Sequence, residues 1–267
     1  MSDYGKIEWS DRQFEPAHLR FLTFQSPALG GRGDVALFVP DREGLKDLPL
    51  VVLMHGVYCS HWAWAMKGGA HLTAAAMIAD GDIPPMVLAM PSDGLWAQGS
   101  GYLPHDDTDY EAWIVDDVVG CVTSEVPSLS ESSDVFIAGL SMGGYGALRL
   151  GAKYAHRLKG ISAHSSVTRM EDIKRLVTQR PLPFRLEHPN EWDIMYWMTK
   201  NRDSLPPIRF DCGVEDALLE GNRDLHTSLG KLGVEHIYEE FPGAHKWSYW
   251  AEHLRDTLAF FANRSSQ

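Results

Sequence analysis

Read as a string of apolar and polar positions, the chain changes period several times. Arg20-Phe21-Leu22-Thr23-Phe24-Gln25-Ser26 and Asp34-Val35-Ala36-Leu37-Phe38-Val39-Pro40 alternate apolar with other residues, and the turn Gly30-Gly31-Arg32-Gly33 joins them. Period two around a glycine turn predicts an opening β-hairpin. Leu48 to Gly56 and Pro85 to Pro91 are instead continuous apolar runs, the pattern of parallel strands covered on both faces. Between them, Leu72 to Asp80 reads as a helix closed by Gly81.

Helix then alternates with strand. Tyr110 to Thr123 is helix-like and acidic, Val135 to Ala138 is a short β-prone run, and a helix-compatible stretch runs from Tyr145 to about His156. Gly160 to Ser166 predicts the next strand, Pro206 to Gly213 and Glu235 to Phe241 two more with a helix around Leu218 to Leu232, and Trp247 to Phe261 a closing amphipathic helix. Such alternation implies a mostly parallel central sheet with helices on both faces, the α/β class. Residues 1–267 are read as one domain, a normal size for this class. Val167 to Leu205, with Pro181-Leu182-Pro183-Phe184, Trp192, Tyr196 and Trp197, has no strand period and is read as a helical insertion over the active site.

The chemistry begins at Gly139-Leu140-Ser141-Met142-Gly143-Gly144, where the short strand runs into the helix. Gly-x-Ser-x-Gly occurs by chance in glycine-rich loops, but strand, turn and helix in this order make a nucleophile elbow. Gly139 and Gly143 permit a turn too tight for a Cβ, and the Ser141 hydroxyl is exposed at its apex. The N–H of Met142, first in the helix, points toward the oxygen of an attacked carbonyl.

A serine hydroxyl needs a base and the base needs an orienting acid. In the α/β-hydrolase order these follow as acid, then histidine. Asp216 is placed for the acid, in the loop after the strand ending at Gly213; Asp211, inside that strand, and Glu215, one residue early, are its competitors. His245 is placed for the base, in the Phe241-Pro242-Gly243-Ala244 loop before the last helix. His164, at the end of the strand after the elbow, reads as structural. Upstream, His55-Gly56-Val57-Tyr58 follows an early strand, so that Gly56 allows close approach and the Val57 N–H pairs with that of Met142 as a second oxyanion donor. His55 then reads as a hydrogen-bonding residue of that loop.

Together, His55-Gly56-Val57-Tyr58-Cys59-Ser60-His61-Trp62-Ala63-Trp64, Pro91-Ser92-Asp93-Gly94-Leu95-Trp96, Gly139 to Ala147, Cys212-Gly213-Val214-Glu215-Asp216 and Gly243-Ala244-His245-Lys246-Trp247 resemble the esterase D-like esterases over most of the chain. That family includes tributyrin esterases, S-formylglutathione hydrolases, acetyl xylan and cinnamoyl esterases and, more distantly, mycolyltransferases. The resemblance implies an α/β-hydrolase fold, a triad of Ser141, Asp216 and His245, and oxyanion donors at Val57 and Met142. The Gly-Leu-Ser elbow and the Gly-Ala-His-Lys-Trp segment look closer to tributyrin and carbohydrate esterases than to formylglutathione hydrolases.

The expected reaction is hydrolysis of short-chain acyl esters through an acyl-enzyme on Ser141, with acetyl or cinnamoyl esters of carbohydrates among the substrates. A thioesterase of the S-formylglutathione type, an acyltransferase and a non-catalytic carbohydrate-binding protein are the rival readings. Gly56, Trp62 and Trp96 are the candidate substrate contacts, within a cluster that also holds Trp64 and Tyr102.

Composition narrows the partners. The formal net charge is −12 without a Lys/Arg cluster, which excludes the positive footprint that nucleic acid or anionic membrane requires. The expected partner is a small-molecule or oligosaccharide ester, and a homo-oligomer is compatible with the chain. His105-Asp106-Asp107-Thr108-Asp109 lacks metal-ligand spacing, and Asp109 or Thr108 can cap the next helix, so no metal and no cofactor is assigned. No apolar run reaches the roughly 20 residues of a membrane span. The start lacks a signal-peptide layout, and three scattered cysteines suggest reduced thiols, so a cytoplasmic location is expected.

Overall fold

The computed structural model describes residues 4–40, 44–176, 184–185 and 187–265. The elements run β1 (Ile7–Trp9), β2 (Leu19–Ser26), β3 (Gly31–Phe38), β4 (Leu50–Met54), α1 (Ala63–Met66), α2 (Ala70–Asp80) and β5 (Val87–Pro91). Then come α3 (Tyr110–Ala112), a π-helical stretch Trp113–Val118, α4 (Val119–Glu125), β6 (Val135–Leu140), α5 (Met142–Lys153) and β7 (Gly160–His164). The rest is α6 (Met170–Leu176), α7 (Ile194–Lys200), β8 (Ile208–Gly213), α8 (Leu219–Leu232), β9 (Ile237–Phe241) and α9 (Trp247–Ala262).

All strands join one sheet in the order β1-β2-β3-β5-β4-β6-β7-β8-β9. The first three and β5 pair antiparallel, and from β5 to β9 every pairing is parallel. The predicted hairpin is therefore present, with Leu22 opposite Val35, but Gly31, Arg32 and Gly33 pair within β3 and the turn is Pro27 to Gly30; the short β1 at the edge carries too little pattern to be read from sequence.

The continuous apolar runs have the cause inferred for them. In β4, Leu50, Val52 and Met54 face a core shared with α4, α5, α7 and α8, whereas Val51 and Leu53 face a second core shared with α1, α2 and α9. Helices thus cover both faces, and every second residue of a central strand belongs to the opposite core. The predicted helix 110–123 begins where Asp109 accepts the Ala112 N–H at 2.9 Å, and its middle relaxes into the π-helical stretch that turns Trp113 onto the Ser92 carbonyl, at 2.8 Å.

Strand order positions the site. The chain leaves β4 toward β5 on one side and leaves β6 toward β7 on the other. The loops after β4 and β6 diverge there, opening a crevice at the carboxyl ends of the strands where open α/β sheets bind ligands.

Candidate active site

Ser141 stands at the carboxyl end of β6 with φ 55° and ψ −117°, a conformation that non-glycine residues rarely hold. Its backbone is held on several sides: its N–H donates to the His164 carbonyl at 2.9 Å, and its carbonyl accepts from Tyr145 and Val167, each at 3.1 Å. The flanking glycines are sterically required. A Cβ on Gly139 would lie 2.3 Å from the Gly143 carbonyl oxygen, and one on Gly143 would lie 2.4 Å from that of Met54.

The three side chains chosen from order and spacing come together. The Ser141 hydroxyl donates to His245 Nε2 at 3.0 Å, and His245 Nδ1–H donates to Asp216 Oδ2 at 2.8 Å. Asp216 Oδ1 is occupied by the Leu218 N–H at 2.9 Å, which leaves the other oxygen to the imidazole. The Asp216 side chain is buried while that of His245 is 36% exposed, so only the imidazole of this pair reaches the crevice. Burial would raise the Asp216 carboxyl, but the hydrogen bond and charge of His245 and the Leu218 N–H outweigh it and hold it below the ordinary carboxylate value. Trp250, from the first turn of α9, packs edge-on against the His245 ring with centroids 4.8 Å apart.

Neither competitor for the acid takes the His245 Nδ1 hydrogen bond, which goes to Asp216. Glu215 is exposed. Asp211 is buried in β8 and pairs with His164 instead, Nδ1 to Oδ2 at 2.8 Å, so that His164 is structural as expected.

On the other side of Ser141, an added Cβ on Gly56 would touch the Ser141 Cβ at 3.1 Å and its Oγ at 3.5 Å, which is the close approach inferred for this loop. His55 is buried and spans the loop: its Nδ1–H donates to the Gly56 carbonyl at 2.7 Å, and its Nε2 accepts the Asp93 N–H at 3.1 Å. Burial lowers the His55 pKa, in keeping with the neutral tautomer those two bonds require. Because N–H and C=O point opposite ways across a trans peptide, holding the Gly56 carbonyl also fixes the Val57 N–H. Met142, first residue of α5, has no intrahelical acceptor for its N–H. An added Cβ on Gly99 would meet Met142 Sδ at 2.9 Å and Val57 Cγ1 at 3.3 Å, so the side chains of both candidate donors flank one loop.

The tryptophan cluster divides. Trp62 is 42% exposed and Trp96 half-buried with its ring on His105, whereas Trp64 and Tyr102 are core residues. Trp64 Nε1 donates to the Met54 carbonyl at 2.9 Å and Tyr102 OH to that of His55 at 2.8 Å, so the cluster does not act as one stacking wall. Two further exposed apolar residues, Tyr58 and Leu95, which the sequence did not single out as substrate contacts, stand on the loops after β4 and β5. Their positive φ angles, 60° and 59°, carry no signal in a single sequence.

Of the predicted insertion, 177–183 and 186 lie outside the described residues, including Pro181-Leu182-Pro183. Phe184 packs on His105, centroids 5.2 Å apart, and Arg185 N–H donates to the Pro104 carbonyl at 2.8 Å. Farther on, Glu191 accepts Arg149 Nη2 at 2.7 Å and the Trp192 carbonyl accepts Tyr145 OH at 2.6 Å, tying this segment to α5.

A mostly parallel sheet of this order, with a serine on a strained elbow at its carboxyl edge, defines the α/β-hydrolase class. The chain belongs to the putative esterase family, whose model matches residues 26–261, and is a serine carboxylesterase. It is 27% identical over 253 residues to an acetyl esterase of Caldicellulosiruptor saccharolyticus, covering 85% of this chain and 90% of that one. With an esterase of Mycobacterium tuberculosis it shares 22% identity over 91% of its own length but 59% of the relative's. Among solved structures, the S-formylglutathione hydrolase of Staphylococcus aureus superposes with TM-score 0.78 at 20% identity, over 97% of this chain and all of that one. A ferulic acid esterase superposes with TM-score 0.77 at 20% identity, over 97% and 98%. These superpositions show the fold. Among the described residues, no helix is long and apolar enough to cross a membrane.

Proposed function

We propose that this carboxylesterase cleaves short-chain acyl esters, acetyl esters foremost, with Ser141 as nucleophile, His245 as base and Asp216 as its orienting acid. The observation that carries the reading is His245 bridging Ser141 Oγ at 3.0 Å and Asp216 Oδ2 at 2.8 Å. Ser141 Oγ bonds to the acyl carbon while its proton passes to His245 Nε2, and the carbonyl oxygen becomes an oxyanion received by the N–H groups of Val57 and Met142. On collapse the leaving alcohol takes the proton from His245. Water then attacks the acyl-enzyme, giving its proton to His245, and the free acid leaves as Ser141 recovers that proton.

The acetyl preference rests on the acetyl esterase relative. The exposed Trp62, Tyr58 and Leu95, on the segments after β4 and β5, support an apolar or sugar-stacking wall for the alcohol, to which Gly56 and Trp96 contribute. The same reading takes residues 1–267 as one domain with 167–205 as an insertion beside the crevice, and the free thiols of Cys59, Cys121 and Cys212 support a cytoplasmic location.

The test is turnover of p-nitrophenyl acetate and covalent labelling by a fluorophosphonate probe. Ser141→Ala is expected to abolish both in a folded protein; unchanged turnover would sink the assignment. A panel of p-nitrophenyl esters, methyl ferulate, acetylated xylan fragments and S-formylglutathione then ranks the alcohols, and free acid as the sole product in the presence of an acceptor argues against acyl transfer.

A further inference from the structure

Beneath the candidate triad lies a second Asp–His pair that no catalytic step uses. Asp211, His164 and Thr257 are all 0% exposed. Asp211 Oδ2 accepts His164 Nδ1–H at 2.8 Å and Arg209 Nη1 at 2.5 Å, and Asp211 Oδ1 accepts the Tyr249 hydroxyl at 2.8 Å. On its other side, His164 Nε2 lies 2.9 Å from Thr257 Oγ1, which is 2.6 Å from Ser162 Oγ. One assignment of protons satisfies the whole chain: Ser162 donates to Thr257, Thr257 to His164 Nε2, and His164 Nδ1 to Asp211.

The network touches the triad at both ends. The His164 carbonyl accepts the Ser141 N–H, which holds the nucleophile's strained backbone. Tyr249 stands four residues after His245, and its ring closes on the loop that carries the base. Gly243 has φ +138°, and an added Cβ there would lie 2.7 Å from Tyr249 Cδ2. The Gly243 carbonyl also accepts the Glu215 N–H at 2.9 Å, one residue before Asp216. Apolar residues of similar volume would serve stability as well as a buried ion network does. A fully satisfied network adds a fixed geometry.

The geometry points to Tyr249 as a positioning residue, which, through its hydroxyl on Asp211 and its ring on Gly243, sets His245 at hydrogen-bonding distance from Ser141. The inference rests on the proposed role of His245. Nucleophile and base sit on separate loops, and Asp211 connects His164, whose carbonyl holds the Ser141 N–H, to Tyr249 on the helix following His245. A base displaced by 1 Å loses about a hundredfold in rate, whereas substrate binding, which needs neither proton transfer nor this distance, is unaffected.

The experiment is Tyr249→Phe, which keeps the ring on Gly243 and removes only the hydroxyl. Expected is a fall in kcat for p-nitrophenyl acetate on the order of tenfold with KM constant within about twofold, and fluorophosphonate labelling slowed by the same factor. A lower melting temperature with unchanged kcat and labelling rate overturns the inference, because it shows support without positioning. A rise in KM at unchanged kcat overturns it too. Gly243→Ala, which presses the loop from the other side, is expected to lower kcat further. His245→Ala separates the two levels of argument: if it labels at full rate the proposed triad has failed, and if it abolishes labelling while Tyr249→Phe leaves the rate unchanged, only the positioning role has.

Discussion

Asp216→Asn removes a charge while preserving shape, and the structure determines how the amide must sit. Asp216 Oδ1 accepts the Leu218 N–H at 2.9 Å and Oδ2 accepts His245 Nδ1–H at 2.8 Å. In one orientation the amide oxygen keeps the Leu218 bond and its NH2 faces His245, which must then carry its proton on Nε2 and aim an N–H at the nucleophile. That tautomer cannot accept the Ser141 proton. In the flipped orientation the useful tautomer survives, but the NH2 opposes the Leu218 N–H, leaving a buried donor unpaired at about 1–3 kcal/mol. The competent fraction is therefore reduced roughly 5- to 150-fold. Loss of the negative charge beside the imidazolium costs about 1.5–3 kcal/mol more, the worth of a hydrogen bond to a charged group. The sum, about 2.5–6 kcal/mol, corresponds to a fall in kcat of about 10² to 10⁴ at neutral pH. Steady-state kinetics on p-nitrophenyl acetate, with a melting curve to show a folded variant, measures it. A loss smaller than about tenfold would refute the tautomer argument, since the unpaired donor and the lost charge each exceed that on average.

Three further outcomes follow from the same contacts. Gly143→Ala puts a Cβ 2.4 Å and 2.5 Å from the carbonyl oxygens of Met54 and His55; backbone on that side cannot yield as a side chain would, so a cost at or above the usual 1–3 kcal/mol of overpacking, roughly, and loss of fluorophosphonate labelling are expected. Arg149→Ala removes the fully buried partner that Glu111 and Glu191 meet at 2.5 Å and 2.7 Å but leaves both paired with Lys153, so thermal melting should show a loss below the roughly 3–5 kcal/mol of an uncompensated buried charge. Burial lowers the pKa values of His55, His61, His71 and His105, so the folded chain keeps them neutral where the unfolded chain, titrating near 6.5, is protonated. The unfolded state then binds more protons, and at high salt, where repulsion among surface charges is screened, the melting temperature should fall as pH drops below about 6.5. A flat or rising curve there would contradict it. The contributions of Asp211, lowered to about 2, and of Asp216 persist above about pH 4 and are lost only below it.

The parts of the fold that were legible in the sequence are those in which local pattern and tertiary burial agree. Strands β4, β5 and β6 could be read because burial on both faces writes an uninterrupted apolar run, and the loops that carry Ser141, Asp216 and His245 because strand ends are marked by glycine or proline close to each. Strand β1 could not: three residues at an edge, half in contact with solvent, carry neither period. The π-helical stretch was hidden because Trp113–Val118 has the composition of ordinary helix, and its widened turn answers to a tertiary contact, Trp113 on Ser92. Trp62 and Trp64 stand two residues apart at the start of α1, and only the packing decides that Trp64 is core and Trp62 faces solvent.

The two Asp–His pairs show what sequence order decides and what environment decides. Asp211 and Asp216 stand on the same strand and the loop after it, and each holds the Nδ1–H of a histidine at 2.8 Å. In the buried pair Arg209 neutralises the carboxylate, Tyr249 and Thr257 occupy the remaining partners, and His164 has no nitrogen left for a substrate's proton. In the other pair, backbone satisfies half of the carboxylate, and the imidazole keeps a free face over the crevice with its Nε2 turned to Ser141. A base works only when its second nitrogen is turned to a group that releases and regains a proton during turnover. The five steps along the chain from Asp211 to Asp216 lead from a place where that nitrogen is consumed by the core to a place where it is offered to chemistry.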